Sequence, residues 1–391
     1  MAAVGALGVW CVVVAFIARA CVPRSLDLRV YRDAARLAVH GGAVYTATFT
    51  PQHFPFTYPP FALIVFAPLV LLAEHPAIWA FDAIGAVALV VALTVTARHV
   101  LHWPRTKSLV LAALLAGLAC LALEPLRSTL LDGQVNPVLV AAVVVDLLVV
   151  PPSRRGILVG LAAAVKLTPL VFVGYLVLAG ERRAAARAAA TFAGATLVAW
   201  LVAPADSRTF WLHQAFSPGR RGASRTAFNQ SWWGLVGRLP PADGWVRTAV
   251  WLALCAATVA VAAVVTRRCL RDRHHLDAII AVAVAGLLVS PISWTHHWCW
   301  LALAPIALVA PRPRPGPTVA ATALALVVAV AAPYGWHLTG PGSVVAGFSL
   351  TLAGALMLAV MALDGWRLDR RVAALEPLED ATATGARVPA R

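Results

Sequence analysis

The residues able to do chemistry in this chain sit in short polar segments between long apolar ones. The first segment is Ser25-Leu26-Asp27-Leu28-Arg29-Val30-Tyr31-Arg32-Asp33. Asp27 and Tyr31 stand four apart, so on a helix they share a face, while Leu26, Val30, Ala34 and Leu37 recur at helical spacing. The pattern predicts a short amphipathic helix over 27–39 lying along a membrane surface. Asp27 there either caps the helix N-terminus or offers its carboxylate to a substrate. A second segment, Pro55-Phe56-Thr57-Tyr58-Pro59-Pro60-Phe61, uses paired prolines to fix an extended entry into a helix. It is either a structural joint or a helix N-terminus facing a phosphate. In Thr129-Leu130-Leu131-Asp132-Gly133-Gln134-Val135-Asn136-Pro137, the amides of Gln134 and Asn136 suit sugar hydroxyls, with a helix-capping turn as the alternative.

Two further segments lie later in the chain. Phe228-Asn229-Gln230-Ser231-Trp232-Trp233-Gly234 sets amides beside indoles, a combination that fits carbohydrate. An aromatic belt at the membrane interface accounts for the tryptophans equally well, but not for Asn229 and Gln230. Upstream, Arg220, Arg221 and Arg225 form a basic patch suited to a phosphate or an anionic headgroup. Ser290-Pro291-Ile292-Ser293-Trp294-Thr295-His296-His297-Trp298 contributes His296, His297 and Trp294 as candidates. Consecutive residues on a helix point about 100° apart, so adjacent histidines seldom hold one ion. No His/Cys/Asp/Glu group has metal-ligand spacing, and no metal or cofactor is expected. A histidine that hydrogen-bonds a phosphate or hydroxyl is the expected use.

The elements that position these residues follow from composition. Of 391 residues, 61% are hydrophobic and 13% charged, with a mean hydropathy of +0.80, against about 45–50% and about 25% in soluble domains. Seventeen acidic residues cannot solvate a soluble domain of this size. A soluble enzyme, a disordered chain and a disulfide scaffold are all excluded. The six cysteines include no CxxC pair and read as small membrane-packing residues. The net charge of +15 is divided among loops between apolar runs, which records membrane orientation rather than a nucleic-acid face.

A bilayer-crossing helix needs about 20 apolar residues. Candidate spans are 4–22, 77–97, 108–123, 137–151, 184–203, 249–266, 276–292, 298–311, 317–333 and 345–363, with 60–73 and 156–179 as awkward additional pieces. About 11–12 transmembrane helices are expected over 1–366, followed by a cytoplasmic, disordered tail at 367–391. The clusters Arg98/Arg105/Lys107, Arg154/Arg155, Arg182/Arg183/Arg187, Arg267/Arg268/Arg271/Arg273, Arg312/Arg314 and Arg367/Arg370/Arg371 mark the cytoplasmic side. Segments 23–58, 124–136, 204–248 and 290–297 then face outward. Basic clusters flank 156–179 at both ends and both read as inside. That stretch must therefore rise from the cytosol, turn near Lys166-Leu167-Thr168-Pro169 and return. Irregular backbone at that depth requires a protein-lined cavity, with Lys166 at its lip.

Taken together and in order, Asp27-Leu-Arg-Val-Tyr31, Phe56-Thr-Tyr-Pro-Pro-Phe61, Gly133-Gln-Val-Asn136, Lys166-Leu-Thr-Pro169, Asn229-Gln-Ser231 and Ser290-Pro-Ile-Ser-Trp-Thr-His-His297 resemble the actinobacterial polyprenol-phosphate-mannose-dependent α-(1→2)-mannosyltransferases of the GT-C class. The likeness covers roughly residues 20–300. It implies an all-α polytopic enzyme of the plasma membrane with an outer-face catalytic cavity. The reaction implied is inverting transfer of mannose from a polyprenyl-phosphate-mannose to a mannosyl hydroxyl of a glycolipid or lipoglycan. It also implies Asp27 as general base. Lys166 and one of His296/His297 would stabilise the phosphate leaving group, and Tyr31, Tyr58, Gln134, Asn136, Asn229 and Gln230 would shape the sugar pocket. The same scaffold could serve arabinofuranosyl or other polyprenyl-phosphate sugars. A lipid or sugar transporter would instead need polar residues along both leaflets.

Overall fold

The computed structural model describes residues 25–215, 226–239, 244–310, 316–335 and 347–364. The expected span at 4–22, the arginines Arg220, Arg221 and Arg225, and the tail 367–391 lie outside the described residues. The described chain is built from helices, with one two-residue antiparallel ribbon, β1 (Thr48–Phe49) and β2 (Phe54–Pro55).

The amphipathic pattern forms α1 (Leu26–Val39), burying Leu28, Val30, Tyr31 and Ala34. After the ribbon come α2 (Phe61–Phe66), continued by a 3-10 turn Ala67–Leu71, and then α3 (Glu74–Leu101) and α4 (Arg105–Ala122). The next pair, α5 (Glu124–Asp132) and α6 (Asn136–Leu148), is bent by 117° at Gly133. Helices α7 (Ile157–Val165) and α8 (Val171–Leu178) flank the Lys166 break, followed by α9 (Arg182–Val202) and α10 (Pro204–Thr209). Then come α11 (Trp232–Arg238), α12 (Gly244–Arg271), α13 (His275–Val289), a 3-10 helix Thr295–Leu303, α14 (Ala304–Val309), α15 (Gly316–Gly335) and α16 (Ser349–Asp364).

Four helices, α3, α4, α9 and α12, are long and apolar enough to cross a bilayer, and the bent α5–α6 pair makes a fifth candidate. Five shorter apolar helices accompany them among the described residues: Phe61–Leu71, Thr168–Leu178, α13, Gly316–Val330 and α16. Leu114, Leu118 and Leu121 on α4, Leu197 and Leu201 on α9, and Leu252 and Val259 on α12 are exposed. Ridges of exposed leucine and valine on several helices belong against lipid rather than water. The chain is a polytopic membrane protein. The segment 298–311, read as one span, is instead a 3-10 helix running into the six-residue α14. Pro305 in the first turn of α14 cannot donate to the preceding turn, which ends the earlier helix there.

The return predicted at Lys166 is present. Helix α7 ends at Val165, Lys166 is extended, and a 3-10 turn Thr168–Leu170 leads into α8. The two ends of the excursion meet: the Arg155 guanidinium bonds Glu181, and Arg187 donates to the carbonyls of Arg155 (2.9 Å) and Pro152. Nine residues at 1.5 Å each carry the chain about 14 Å, roughly half the hydrocarbon thickness. The parallel packing of α7 on α9 is close enough to require glycine. A Cβ on Gly156 would lie 2.1 Å from the Ala184 carbonyl oxygen, and one on Gly160 would lie 2.5 Å from that of Ala188. Gly156 also has φ +101°, a conformation that side chains disfavour. The α7 N-terminus is capped from α6, where Asp146 accepts from the amides of Gly156 (3.0 Å) and Val159 (2.9 Å). An intramembrane acid, a functional suspect by sequence, is thereby a helix cap.

Gly156→Ala is expected to destabilise the detergent-solubilised protein by roughly 2–3 kcal/mol, read as a lower thermal midpoint. Gly194→Ala on α9, where nothing lies within 4 Å of the new methyl, should show no loss.

Candidate active site

The polar segments converge where α1, the α5–α6 bend, the tip of the α7–α8 hairpin and the start of the Thr295–Leu303 helix meet. The Ser25 amide donates to the Leu131 carbonyl at 2.8 Å, docking α1 against the end of α5. Gly133, at φ +66°, makes this approach possible, because a Cβ there would lie 2.7 Å from Cβ of Leu28. The bend thereby brings Gln134 under α1 and starts α6 with Asn136 facing inward.

Asp27 does not cap α1. Ser25 takes the N-cap position without a side-chain bond, and the Asp27 carboxylate instead accepts from the Gln134 amide nitrogen at 2.5 Å. The Gln134 carbonyl oxygen accepts from Tyr31 (3.0 Å) and Tyr58 (3.1 Å), whose hydroxyls lie 2.6 Å apart. The i, i+4 pair Asp27/Tyr31 thus meets both ends of one carboxamide. Tyr31 is held by stacking on Phe66 (ring centroids 4.4 Å) and by an edge contact with Tyr58 (5.0 Å). Burial drives the Asp27 carboxyl up to about 6, only partly opposed by the Gln134 hydrogen bond and the Lys166 charge.

Lys166 closes the other side. Its ammonium donates to Asn136 Oδ1 (2.8 Å), to His297 Nε2 (3.0 Å) and to the Tyr58 hydroxyl (3.2 Å), and lies 5.1 Å from the Tyr58 ring centre. An ammonium has no acceptor capacity, so His297 Nε2 carries a lone pair and its proton is on Nδ1. The adjacent histidines are divided between two tasks. His297 faces Lys166, whereas His296 Nδ1 lies 3.7 Å from Asp132 Oδ2. The His296 backbone is fixed through its carbonyl, which accepts from Thr129 Oγ1 (3.1 Å) and Asn136 Nδ2 (3.0 Å).

Asp27, Tyr31, Tyr58, Gln134, Asn136, Lys166, His296 and His297 therefore form one constellation. Asn229 and Gln230 are elsewhere. Both are fully buried, and their amides are occupied by backbone. Asn229 donates to the Pro291 carbonyl and accepts from the Ser293 amide. Gln230 donates to the carbonyls of Ala227 and Gly347 and accepts from the amides of Leu350 and Thr351. The structure thus places both amides, read in the sequence as sugar-pocket groups, in bonds that stitch loops: Gln230 uses both of its N–H donors on backbone carbonyls, and Asn229 uses one. Trp294 pairs with Asn229 in an isolated β-bridge, at the edge of the same stitching.

Asp132, one of the few acids in the outward segments, was given no role in the site from sequence; it stands two residues before Gln134, across the glycine bend. Asp27, Asp132 and His296 offer ligand atoms that all lie within 4.8 Å of one another, a set able to hold a metal ion that sequence spacing did not reveal. Glu124 and Thr295 were missed as well; a hydrogen bond between their side chains (3.0 Å) joins α5 to the Thr295–Leu303 helix.

A half-buried carboxylate facing a buried ammonium across hydroxyl and amide groups suits proton removal on one side and stabilisation of a departing anion on the other. Residues 56–291 match glycosyltransferase family 87. The polyprenol-phosphate-mannose-dependent alpha-(1-2)-phosphatidylinositol mannoside mannosyltransferase of Mycobacterium tuberculosis is 35% identical over 304 residues, covering 73% of this chain and 70% of the relative. Its Mycolicibacterium smegmatis counterpart is 36% identical over 304 residues, covering 72% and 68%. A polyprenol-phosphate-mannose-dependent alpha-(1-2)-phosphatidylinositol pentamannoside mannosyltransferase of M. tuberculosis is 35% identical over 288 residues, covering 73% and 66%. No solved structure matches. With its helical membrane fold, carboxylate–ammonium site and matching sequence, the chain belongs to glycosyltransferase family 87 and is a membrane glycosyltransferase of the GT-C class.

Proposed function

We propose that this enzyme transfers mannose from polyprenyl-phosphate-mannose to a mannosyl hydroxyl of a glycolipid or lipoglycan, forming an α-1,2 linkage at the outer face of the plasma membrane. The observation that carries the reading is the placement of Asp27 and Lys166 on opposite sides of the Gln134–Tyr58 bridge. The names of the mycobacterial relatives support the donor and the glycolipid acceptor. The outward assignment rests on the arginine clusters at Arg154/Arg155 and Arg182/Arg183/Arg187, which lie at the end of the hairpin remote from Lys166.

In this mechanism Asp27 removes the proton from the acceptor hydroxyl as its oxygen attacks the anomeric carbon. The new carbon–oxygen bond forms while the bond to the phosphate oxygen breaks, and the electron pair leaves with the phosphate. One displacement inverts the anomeric centre, so no second carboxylate at nucleophile distance is required. Lys166 meets the growing negative charge, with His297 and Asn136 holding the ammonium in place. The Gln134 carboxamide fixes the angle of the Asp27 carboxylate. Lys166 meets the charge of the phosphate leaving group, and no metal or other cofactor takes part in this mechanism.

The deciding experiment is donor profiling in membranes with polyprenyl-phosphate-linked mannose, arabinofuranose and glucose. Mannose should be the preferred donor; preference for arabinofuranose would reassign the sugar and leave the mechanism standing. Asp27→Asn should lower the turnover number by about 10²–10⁴, the usual contribution of a positioned base. The base works deprotonated, so wild-type turnover should fall as pH drops through about 6 and level off above it. Gln134→Leu removes a bond that stabilises the carboxylate and should move that limb to higher pH. Chelation with EDTA should leave the rate unchanged. Loss on chelation, with recovery on adding Mn²⁺, would instead place an ion among Asp27, Asp132 and His296.

A further inference from the structure

Beside the β1–β2 ribbon lies a polar cavity to which the mechanism gives no role. It has a volume of about 330 Å³ and lies between the β1–β2 ribbon, the Val44–Thr46 turn and the end of the helical segment Phe210–Gln214. Thr48, His53, Thr57, Gln214 and the rings of Tyr45 and Phe56 form its walls. Among the described residues that line it there is no Lys, Arg, Asp or Glu. Its volume falls within the range of small-ligand pockets, about 300–1,000 Å³.

Three observations connect this cleft to the active site. Tyr45 lines it and donates its hydroxyl to the Tyr58 carbonyl at 2.7 Å, so the cleft and the Lys166 site share one backbone segment. The Tyr45 and Phe56 rings are 5.9 Å apart, and Phe56 and Tyr58 5.8 Å, forming a continuous aromatic wall from cleft to site. The wall is anchored from behind: Asp206 accepts from the Val44 amide at 3.0 Å, and the Gln214 amide donates to the Tyr45 carbonyl. The ribbon turn that carries His53 is also unusual. Thr50 and His53 both have left-handed backbones, at φ 63° and 58°, without being glycine. Non-glycine residues in that region cost free energy and cluster at ligand-binding sites. Here the turn brings the imidazole over the cleft, with Nδ1 3.5 Å from Thr48 Oγ1.

We propose that this cleft is a carbohydrate subsite that holds a neutral sugar unit of the acceptor adjacent to the one that receives mannose. The inference rests on the proposed transferase reading. Hydroxyl, imidazole and amide groups around aromatic walls recognise a polyhydroxylated ring. The absence of charge in the described lining disfavours a phosphate or an inositol phosphate; the donor's phosphate is met by Lys166 in the neighbouring site. The donor carries a single sugar, and that sugar must lie between Lys166 and Asp27. The sugar in the cleft therefore belongs to the acceptor. Its contacts select acceptors by length without touching the reacting atoms.

The test uses the full-length chain in lipid nanodiscs with polyprenyl-phosphate-mannose and two acceptors, an octyl α-mannoside and an octyl α-1,2-mannobioside. Wild type should show a KM about tenfold lower for the two-sugar acceptor, equivalent to about 1.4 kcal/mol. His53→Ala and Thr57→Val, both at exposed positions outside the catalytic constellation, should raise the two-sugar KM by about five- to tenfold. The one-sugar KM, the donor KM and kcat should not change. Saturation-transfer NMR should show contacts to the distal sugar that are lost in His53→Ala. Variants that keep the wild-type KM ratio, or that raise both acceptor KM values equally, overturn the subsite. Absence of mannosyl transfer by wild type refutes the reading of function instead, and the NMR contacts then decide the cleft independently.

Discussion

The structure depends on where it can keep a buried ammonium. Lys166 stands at the tip of a half-depth hairpin and is 8% exposed. A cation taken that far from water costs several kcal/mol unless its donors are satisfied. Its three partners come from three separate parts of the chain: Tyr58 before the membrane hairpins, Asn136 at the start of α6, and His297 beyond α13. None of these could relax away without stranding the charge. The hairpin ends, locked by Arg155 and Glu181, set the height of that charge. Its partners then set the position of everything above it.

Gln134 transmits this order to Asp27. A primary amide has distinct ends, and here the choice is forced. Two phenolic hydroxyls need an acceptor, and an ionised carboxylate needs a donor. The nitrogen therefore faces Asp27 and the oxygen faces Tyr31 and Tyr58. Because Tyr58 also accepts from Lys166, the carboxylate and the ammonium are linked through oriented dipoles without forming an ion pair. Direct pairing would quench both charges. Separation by an amide and a phenol keeps each available to a reacting partner while leaving no group in the bridge unsatisfied.

Much of this was legible in the sequence because membrane folding imposes severe rules. Charge counting around 156–179 was enough to require the return at Lys166, since a single crossing would have placed Arg154/Arg155 and Arg182/Arg183 on opposite sides. The i, i+4 spacing of Asp27 and Tyr31 indicated a shared face. What remained hidden depends on which partner a polar group finds. Asn229 and Gln230 carry the chemistry of a sugar site, yet all but one of their partners are backbone groups more than sixty residues away, which no local pattern encodes. Asp132 was hidden for the opposite reason, because its proximity to His296 exists only once α5 and the Thr295–Leu303 helix have packed. The family match runs from residue 56 to residue 291, so Asp27 and both histidines lie outside it; their sequence motifs named them, and the geometry brings them together.

The stitching of Gln230 has a consequence for biogenesis. Its carboxamide joins Ala227 to Gly347, Leu350 and Thr351, and neighbouring Asn229 holds the Ser293 backbone three residues before His296. Trp298 is similarly covered by α16, its ring 2.7 Å from where a side chain on Gly354 would begin. Helix α16 is the last described element to emerge from the ribosome. Until it inserts, Gln230 lacks its acceptor and donor partners, and the segment carrying His296 and His297 lacks its outer brace. The reactive centre is assembled from the first and middle parts of the chain but braced by α16.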